Sequence, residues 1–378
     1  MKSASTREGP LMTVFDMDSH LRESYVMDQA FALDGEFAQL RPVRLNAETG
    51  FKAKFKHELR TFPKRVNESF LHDFVYDPDV NWEGGEVARR QQGGIDMDFR
   101  MRDNEREGVD VQFMFPTLIM IPCMTEGPLG AALAHAYNTW THGLAKNSGG
   151  KLRPVAVLPW AYPEGMVAEL ERCVNELGFQ AAHAMPYVST EKTKLTIDNE
   201  AYYPFYAALE RLNIPLMLHP NSQGDLINLY DNFYAMHVLG RPFNCTAGLV
   251  ALTIGGIFER FPGLRVAFFE CSAEWILYWM HRMDDDYRKM RNGLAPKITR
   301  MPSEYVKKHC WVTCEADERD LAGTIRGFSG NRILLASDYP HFDSEYPGTV
   351  KELRERTDIT PAQKEKILTH NSLEFLQI

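Results

Sequence analysis

Leu11-Met12-Thr13-Val14-Phe15-Asp16-Met17-Asp18-Ser19-His20 is an apolar run that stops on carboxylates and an imidazole. Its first half reads as a buried strand. Residues two apart on a strand point to the same face, so Asp18 and His20 project together. A carboxylate and an imidazole side by side suit Fe, Mn or Zn. The bland alternative is a turn with a satisfied surface pair. What favours a metal is repetition, because His and acidic residues close later apolar runs in the same way.

Outward from this stretch the chain changes character twice. Leu21 to Gly94 has no strand–helix rhythm and is rich in charge and aromatics (Phe51, Phe55, Phe62, Phe70, Phe74, Tyr76, Trp82). It reads as an insertion after strand 1, either a lid over the core or a subunit contact. From Ile95 the rhythm is regular. The pattern predicts a charged helix, Ile95 to Glu107, ended by Gly108. It then predicts strands Val109 to Phe115, Arg153 to Leu158, Phe179 to Ala182, Ile214 to Leu218, Leu264 to Phe269, Cys310 to Cys314 and Arg332 to Ala336. Helices separate them, among them one around Gly248 to Phe261 and one over Ala273 to Arg291. With the first run, that makes eight strands alternating with helices, which argues for α/β architecture and a closed (β/α)8 TIM barrel. Residues 1–378 are expected to form one barrel domain, with 21–94 as its insertion. No glycine-rich phosphate loop follows the first strand, which counts against a dinucleotide fold.

Composition bounds the function. The 378 residues are 44% apolar and 25% charged, enough for a large core. A net charge of −9 excludes a general affinity for nucleic acid. The six cysteines form no CxxC pair and sit mostly in apolar runs, so free buried thiols and a reducing cytoplasm are expected. Met1 to Pro10 has no signal-type apolar stretch, and no run approaches membrane-span length.

In such a barrel the site lies at the C-terminal ends of the strands. The residues expected there are Asp18 and His20 (strand 1), His183 (strand 4), His219 (strand 5), Glu270 (strand 6) and Asp338 (strand 8), with His341 just after. Each alone has a bland reading as a turn, cap or core residue. Their coincidence at strand ends points to one metal-binding mouth. Arg241, Tyr339 and Arg22 are candidates for a substrate carboxylate, which Arg pairs bidentately; structural salt bridges are the competing use. Asp284-Asp285-Asp286 reads as a solvated helix face.

The chain resembles the amidohydrolase-related enzymes of the type that includes aminocarboxymuconate semialdehyde decarboxylase. The resemblance rests on Asp16 to His20, Tyr137-Asn138-Thr139-Trp140, Leu218-His219-Pro220, Gly255 to Pro262, and Ala336-Ser337-Asp338-Tyr339-Pro340-His341. It implies a metal-dependent barrel whose strand-1 ligand pair falls on Asp18 and His20, its strand-5 His on His219 and its strand-8 Asp on Asp338. Two positions depart from the family. Asp18 stands where the first strand-1 ligand is often His, and Glu270 stands where the decarboxylases carry a strand-6 His. The added carboxylates favour Fe or Mn over Zn and carry charge enough for one or two divalent ions.

The leading expectation is therefore metal-assisted hydrolysis or nonoxidative decarboxylation of a small carboxylated substrate. Asp338 would orient water or shuttle a proton, and His341 would assist as base. The alternative is a dinuclear Fe/Mn oxygenase resembling the hydroxylase of 2-aminoisobutyrate, which would need a reductant or a partner subunit. A third reading is a non-enzymatic partner of an active homologue. A small-molecule substrate and a homo-oligomer, or a hetero-oligomer with a homologous subunit, are expected. Neither a membrane nor nucleic acid is.

Overall fold

Eight short parallel strands carry the expected apolar runs. The computed structural model describes residues 12–23, 26–38, 52–55, 58–61, 85–118, 120–190, 192–220, 233–292, 297–341 and 343–378. The barrel strands are β1 (Phe15–Asp16), β2 (Val111–Met114), β3 (Leu152–Pro154), β4 (Ala182–Ala184), β5 (Leu216–Leu218), β6 (Val266–Phe268), β7 (Cys310–Cys314) and β8 (Ile333–Leu335). They form two arcs, β1-β2-β3 and β8-β7-β6-β5-β4. Representative register pairs are Phe15 with Val111, Val266 with Leu216, and Val312 with Ile333.

The arcs meet at both seams. At the first, Ala156 bridges to Ala182, and the His183 amide donates to the Ala156 carbonyl at 2.8 Å. At the second, Met17 donates to the Leu335 carbonyl at 2.9 Å, Asp338 to the Asp18 carbonyl at 3.0 Å, and His20 to the Tyr339 carbonyl at 2.6 Å. These bonds close the ring, as the eight-strand count predicts.

Alternate side chains fill the barrel interior. Phe15, Phe113, Met217, Ala267, Trp311 and Leu334 are all buried there, so the lumen is a packed core. Phe375, from the C-terminal helix Asn371–Leu376, closes the end opposite the site, 5.2 Å from Trp311 between ring centroids. The outer faces of the strands pack on the helices in a second apolar layer.

Local chemistry sets the helix ends. Asp96 accepts from the Phe99 amide at the start of helix Met97–Glu107, and Gly108 ends it at φ 83°. The single helix expected over Gly248 to Phe261 is instead two, Phe233–Ile254 and Ile257–Arg260. They part at Gly256, where φ is 80°, a conformation that stops a helix and favours glycine. Of the aromatic residues in the 21–94 segment, Phe51, Phe62, Phe70, Phe74, Tyr76 and Trp82 lie outside the described residues, as do Met1 to Leu11. Within it, Lys52–Phe55 and Glu58–Thr61 pair as an antiparallel hairpin. No described helix is long and apolar enough to cross a membrane.

Candidate active site

The end of β1 and the loop after it carry Asp18 and His20 into the mouth. The His20 Nε2 atom lies 3.4 Å from Asp18 Oδ1 and 3.1 Å from His219 Nε2. His219 follows β5, and its Nε2 lies 3.8 Å from Asp18 Oδ2 and 3.6 Å from Glu270 Oε2. Asp338, beyond β8, approaches His20 Nε2 with Oδ1 at 3.2 Å and accepts from His341 Nδ1 at 2.9 Å. The His341 ring stacks on His20 with centroids 4.2 Å apart. Two overlapping triads result, Asp18–His20–His219 and His20–Asp338–His341. Glu270 and Asp338 both sit at φ 55°, the left-handed region that non-glycine residues adopt at a cost. Two mouth carboxylates are thus held in strained backbone.

His20 Nδ1 faces the Pro116 carbonyl at 3.2 Å, and His219 Nδ1 faces the Pro220 carbonyl at 2.9 Å. A carbonyl only accepts, so each Nδ1 carries the ring proton. Burial lowers the basicity of both rings and keeps them neutral. Each Nε2 is then a bare lone pair, and the two point at one another. Between them, both oxygens of the fully buried Asp18 lack a hydrogen-bond donor among the described residues. Burial, reinforced by the charges of Asp338, Glu270 and Asp16, pushes the Asp18 carboxyl well above its usual range. Paired lone pairs beside an orphaned buried carboxylate are unfavourable by themselves. A divalent cation satisfies all of them, and the donor set of imidazole and carboxylate fits one.

The remaining carboxylates are differentiated. Glu270 Oε1 accepts from Arg241 Nε and Nη2, both at 2.5 Å, which leaves Oε2 toward His219. Burial alone would raise the Glu270 carboxyl, but Arg241, His219 and His341 outweigh it and hold the group below its usual value. Burial pushes Asp338 up to about 7, although His341 opposes the shift. At the rim, His237 Nε2 lies 2.8 Å from Asp343 Oδ2.

The other expected site residues belong to neither triad. His183 lies inside β4 and does not end it, because the ladder continues through the His219 amide to the Ala184 carbonyl. Its ring is fully buried near Phe115, belongs to neither triad, and has no hydrogen-bond partner on either nitrogen among the described residues. Tyr339 is fully buried and turned away from the mouth, its hydroxyl donating to Asp103 Oδ2 at 2.9 Å under Arg100. Arg22 is buried against Gly94, where an added Cβ would lie 2.2 Å from the arginine Cγ. Arg241 is committed to Glu270.

Sequence reasoning missed three supports. Asp16 accepts from Gln112 Nε2 (2.8 Å) and Ser337 Oγ (2.6 Å), tying β1 to its two neighbours. Thr117 Oγ1 donates to the Leu21 carbonyl and faces His341 Nε2 at 3.2 Å. Glu23 is a buried carboxylate that accepts from the Thr117 amide at 3.1 Å and the Tyr137 hydroxyl at 3.0 Å. The signal for Asp16 was available, because it stands in the same acidic stretch as Asp18.

Known proteins share this architecture. The chain is 22% identical over 283 residues to 2-amino-3-carboxymuconate-6-semialdehyde decarboxylase of Dictyostelium discoideum, covering 74% of this chain and 76% of that one. It is 23% identical over 310 residues to gamma-resorcylate decarboxylase of Polaromonas sp., covering 80% and 92%. The crystal structure of a dihydroxybenzoic acid decarboxylase from Polaromonas sp., with bound manganese and 2-nitroresorcinol, superposes with a TM-score of 0.71 at 19% identity, covering 97% of each chain. That last likeness is one of fold. The amidohydrolase family model matches residues 76–378, a span that holds seven of the eight strands and every candidate ligand except the β1 pair, and the chain belongs to the amidohydrolase family.

Proposed function

We propose that the protein is a metal-dependent, nonoxidative decarboxylase of a small carboxylated aromatic compound. The observation that carries this reading is the pair of bare imidazole nitrogens 3.1 Å apart beside the donor-less Asp18 carboxylate. Asp18, His20, His219 and Asp338 would hold the cation, with Glu270 as a further candidate. Manganese suits this set and is the ion in the Polaromonas structure. When bound, a divalent cation offsets the clustered carboxylates and polarises substrate oxygens.

The chain's own residues supply the rest. Loss of carbon dioxide leaves an electron pair on a ring carbon, which must take up one proton. Asp338 and His341 lie 2.9 Å apart from Oδ1 to Nδ1 at the mouth, so His341 is placed to hold that proton and pass it on while Asp338 orients the ring. Glu270, paired with Arg241, stays anionic and fills the place of the family's strand-6 His without its basicity. Aromatic acids are the favoured substrates because the relatives named above act on such compounds or on a carboxylated muconate.

The test is release of carbon dioxide from 2,6-dihydroxybenzoate and related hydroxylated aromatic acids by manganese-loaded protein. Turnover without oxygen consumption, lost on chelation and in His219→Ala, is expected. Products of hydrolysis with no carbon dioxide would overturn the reading. A second reading, a dinuclear oxygenase, is favoured by one observation: three carboxylates, Asp18, Glu270 and Asp338, gather around His20 and His219, charge enough for two divalent ions. It requires two ions per chain and oxygen uptake with substrate.

A further inference from the structure

The helix Glu86–Gln91, its 3-10 continuation Gln92–Gly94 and the helix Met97–Glu107 lie outside the barrel ring, yet their buried side chains reach the loops after β1 and β8. Arg90 donates from Nη2 to the His341 carbonyl at 2.6 Å, from Nη1 to the Tyr346 carbonyl at 2.5 Å and from Nε to the Pro340 carbonyl at 3.3 Å. Gln91 Nε2 donates to the same Pro340 carbonyl at 2.6 Å. Arg100 donates to the His20 carbonyl, to Ser19 Oγ and Gln112 Oε1 at 2.9 Å each, and to the Gly93 carbonyl at 2.7 Å. Asp103, itself paired with Arg89 at 2.6 Å, accepts from the Tyr339 hydroxyl. Gly93 is packed so closely that an added Cβ would lie 1.8 Å from the Tyr339 oxygen.

These contacts concentrate on the residues that flank the candidate ligands: Ser19 and His20 on one side of the seam, Tyr339 to His341 on the other. The seam is held by single bridges and not by a continuous ladder. Asp338 there is in a left-handed conformation that neighbouring structure must enforce. Arg90 and Arg100 are 3% and 0% exposed, and every acceptor of Arg100 is uncharged. A buried guanidinium with neutral partners is costly, so a merely space-filling residue would have been apolar. Its planar fork fixes several carbonyls at once, which a lysine cannot do.

We infer that this helical segment is a clamp, in which Arg90 and Arg100 are positioning residues that set the distance between the β1 and β8 ligands of the metal site. The inference rests on the reading of the mouth as that site. It assigns the 85–107 stretch to the support of the ligand loops, a part not taken by any barrel strand.

The test compares Arg90→Met, Arg90→Lys, Arg100→Met and Gln91→Leu with a matched control, Arg265→Met, all in the full chain. Arg265 is likewise a buried arginine bonded to main-chain carbonyls, those of Phe375 at 2.7 Å and Asn213 at 2.9 Å, but at the opposite end of the barrel. Three quantities are read: thermal midpoint, manganese affinity by titration, and hydrogen exchange of peptides covering 17–22 and 337–346. All three methionine variants are expected to lose stability. Arg90→Met and Arg100→Met also weaken manganese binding at least about tenfold, the loss common for removed supports of metal ligands, and speed exchange in both peptides. Arg90→Lys recovers part of both, and Arg265→Met changes neither. Gln91→Leu gives the milder version should an arginine variant fail to fold. Clamp variants that lose stability as Arg265→Met does, yet keep wild-type affinity and exchange, would overturn the inference. A wild-type protein that binds no manganese would instead defeat the reading of the site, and the exchange measurements would still decide the clamp.

Discussion

Glu270 separates two uses of one carboxylate. One oxygen is held by Arg241 and the other faces His219. If the second oxygen serves the cation, Glu270→Gln lowers manganese affinity roughly tenfold or more while the fold persists. Unchanged affinity, read by the same titration, would assign Glu270 to the ion pair alone. Glu23 gives a prediction in pH. Burial raises its carboxyl from 4.5 to about 7, so the folded chain holds that proton more tightly than the unfolded one. Stability from this group is therefore intact below pH 4.5 and falls as pH rises toward 7, by up to about 3 kcal/mol. Glu23→Gln keeps an acceptor for the Thr117 amide and removes the titration. Denaturant unfolding of variant and wild type should diverge between pH 5 and 8 in the variant's favour, and parallel curves would refute it. Asp284 shows how far a residue's role could be read from composition. The acidic run Asp284-Asp285-Asp286 reads as solvated, yet Asp284 is buried and accepts from Ser303 N and Oγ at 2.8 Å each, at the start of the helix Pro302–His309.

Among the elements, the strands were the most legible, because runs such as Cys310 to Cys314 are apolar, β-branched or aromatic and bounded by polar residues. That run matches β7 residue for residue. The third run was legible past its regular part: β3 proper ends at Pro154, but Val155 still donates to the Met114 carbonyl at 3.1 Å, Ala156 bridges to Ala182, and Val157 and Leu158 are buried beyond them. The helix Met97–Glu107 was legible as a helix, but the grip of this segment on the ligand loops was not, because most of its acceptors are main-chain carbonyls, which leave no mark in the side-chain pattern. The C-terminal helix illustrates the same point, since nothing in its sequence announces that Phe375 plugs the barrel floor. Phe375→Ala should cost about 3–5 kcal/mol by opening a cavity under Trp311. Manganese affinity should hold, since the plug lies at the far end from the ligands. A matching loss of affinity in calorimetry would mean that the floor and the mouth are coupled.

For the molecule as a whole, the candidate ligands were legible because barrel closure gathers the ends of distant strands, and the count of eight implies closure. Their mutual geometry was not, since His183 and His219 both accompany apolar strands and only the register shows which one enters a triad. A cation bound by the folded chain alone must stabilise it. At a manganese concentration 100 times the dissociation constant the gain is about 2.7 kcal/mol. The thermal midpoint should therefore climb with added manganese and fall on chelation, and a midpoint indifferent to both would argue against the site.

The seam between β8 and β1 has a consequence in time. Ser337 and Asp16 bond across 321 residues of chain, and His20 meets Asp338 at the same junction. On a ribosome the β1 candidates Asp18 and His20 emerge before Asp338 and wait for it. Until the chain passes residue 338 the proposed cation site has only part of its donor set, and the β1 strand has no neighbour on one side. At the proposed site, capture of a cation is thus a test that the β8 end has arrived, which a chain cut short of residue 338 fails however well its earlier strands have folded.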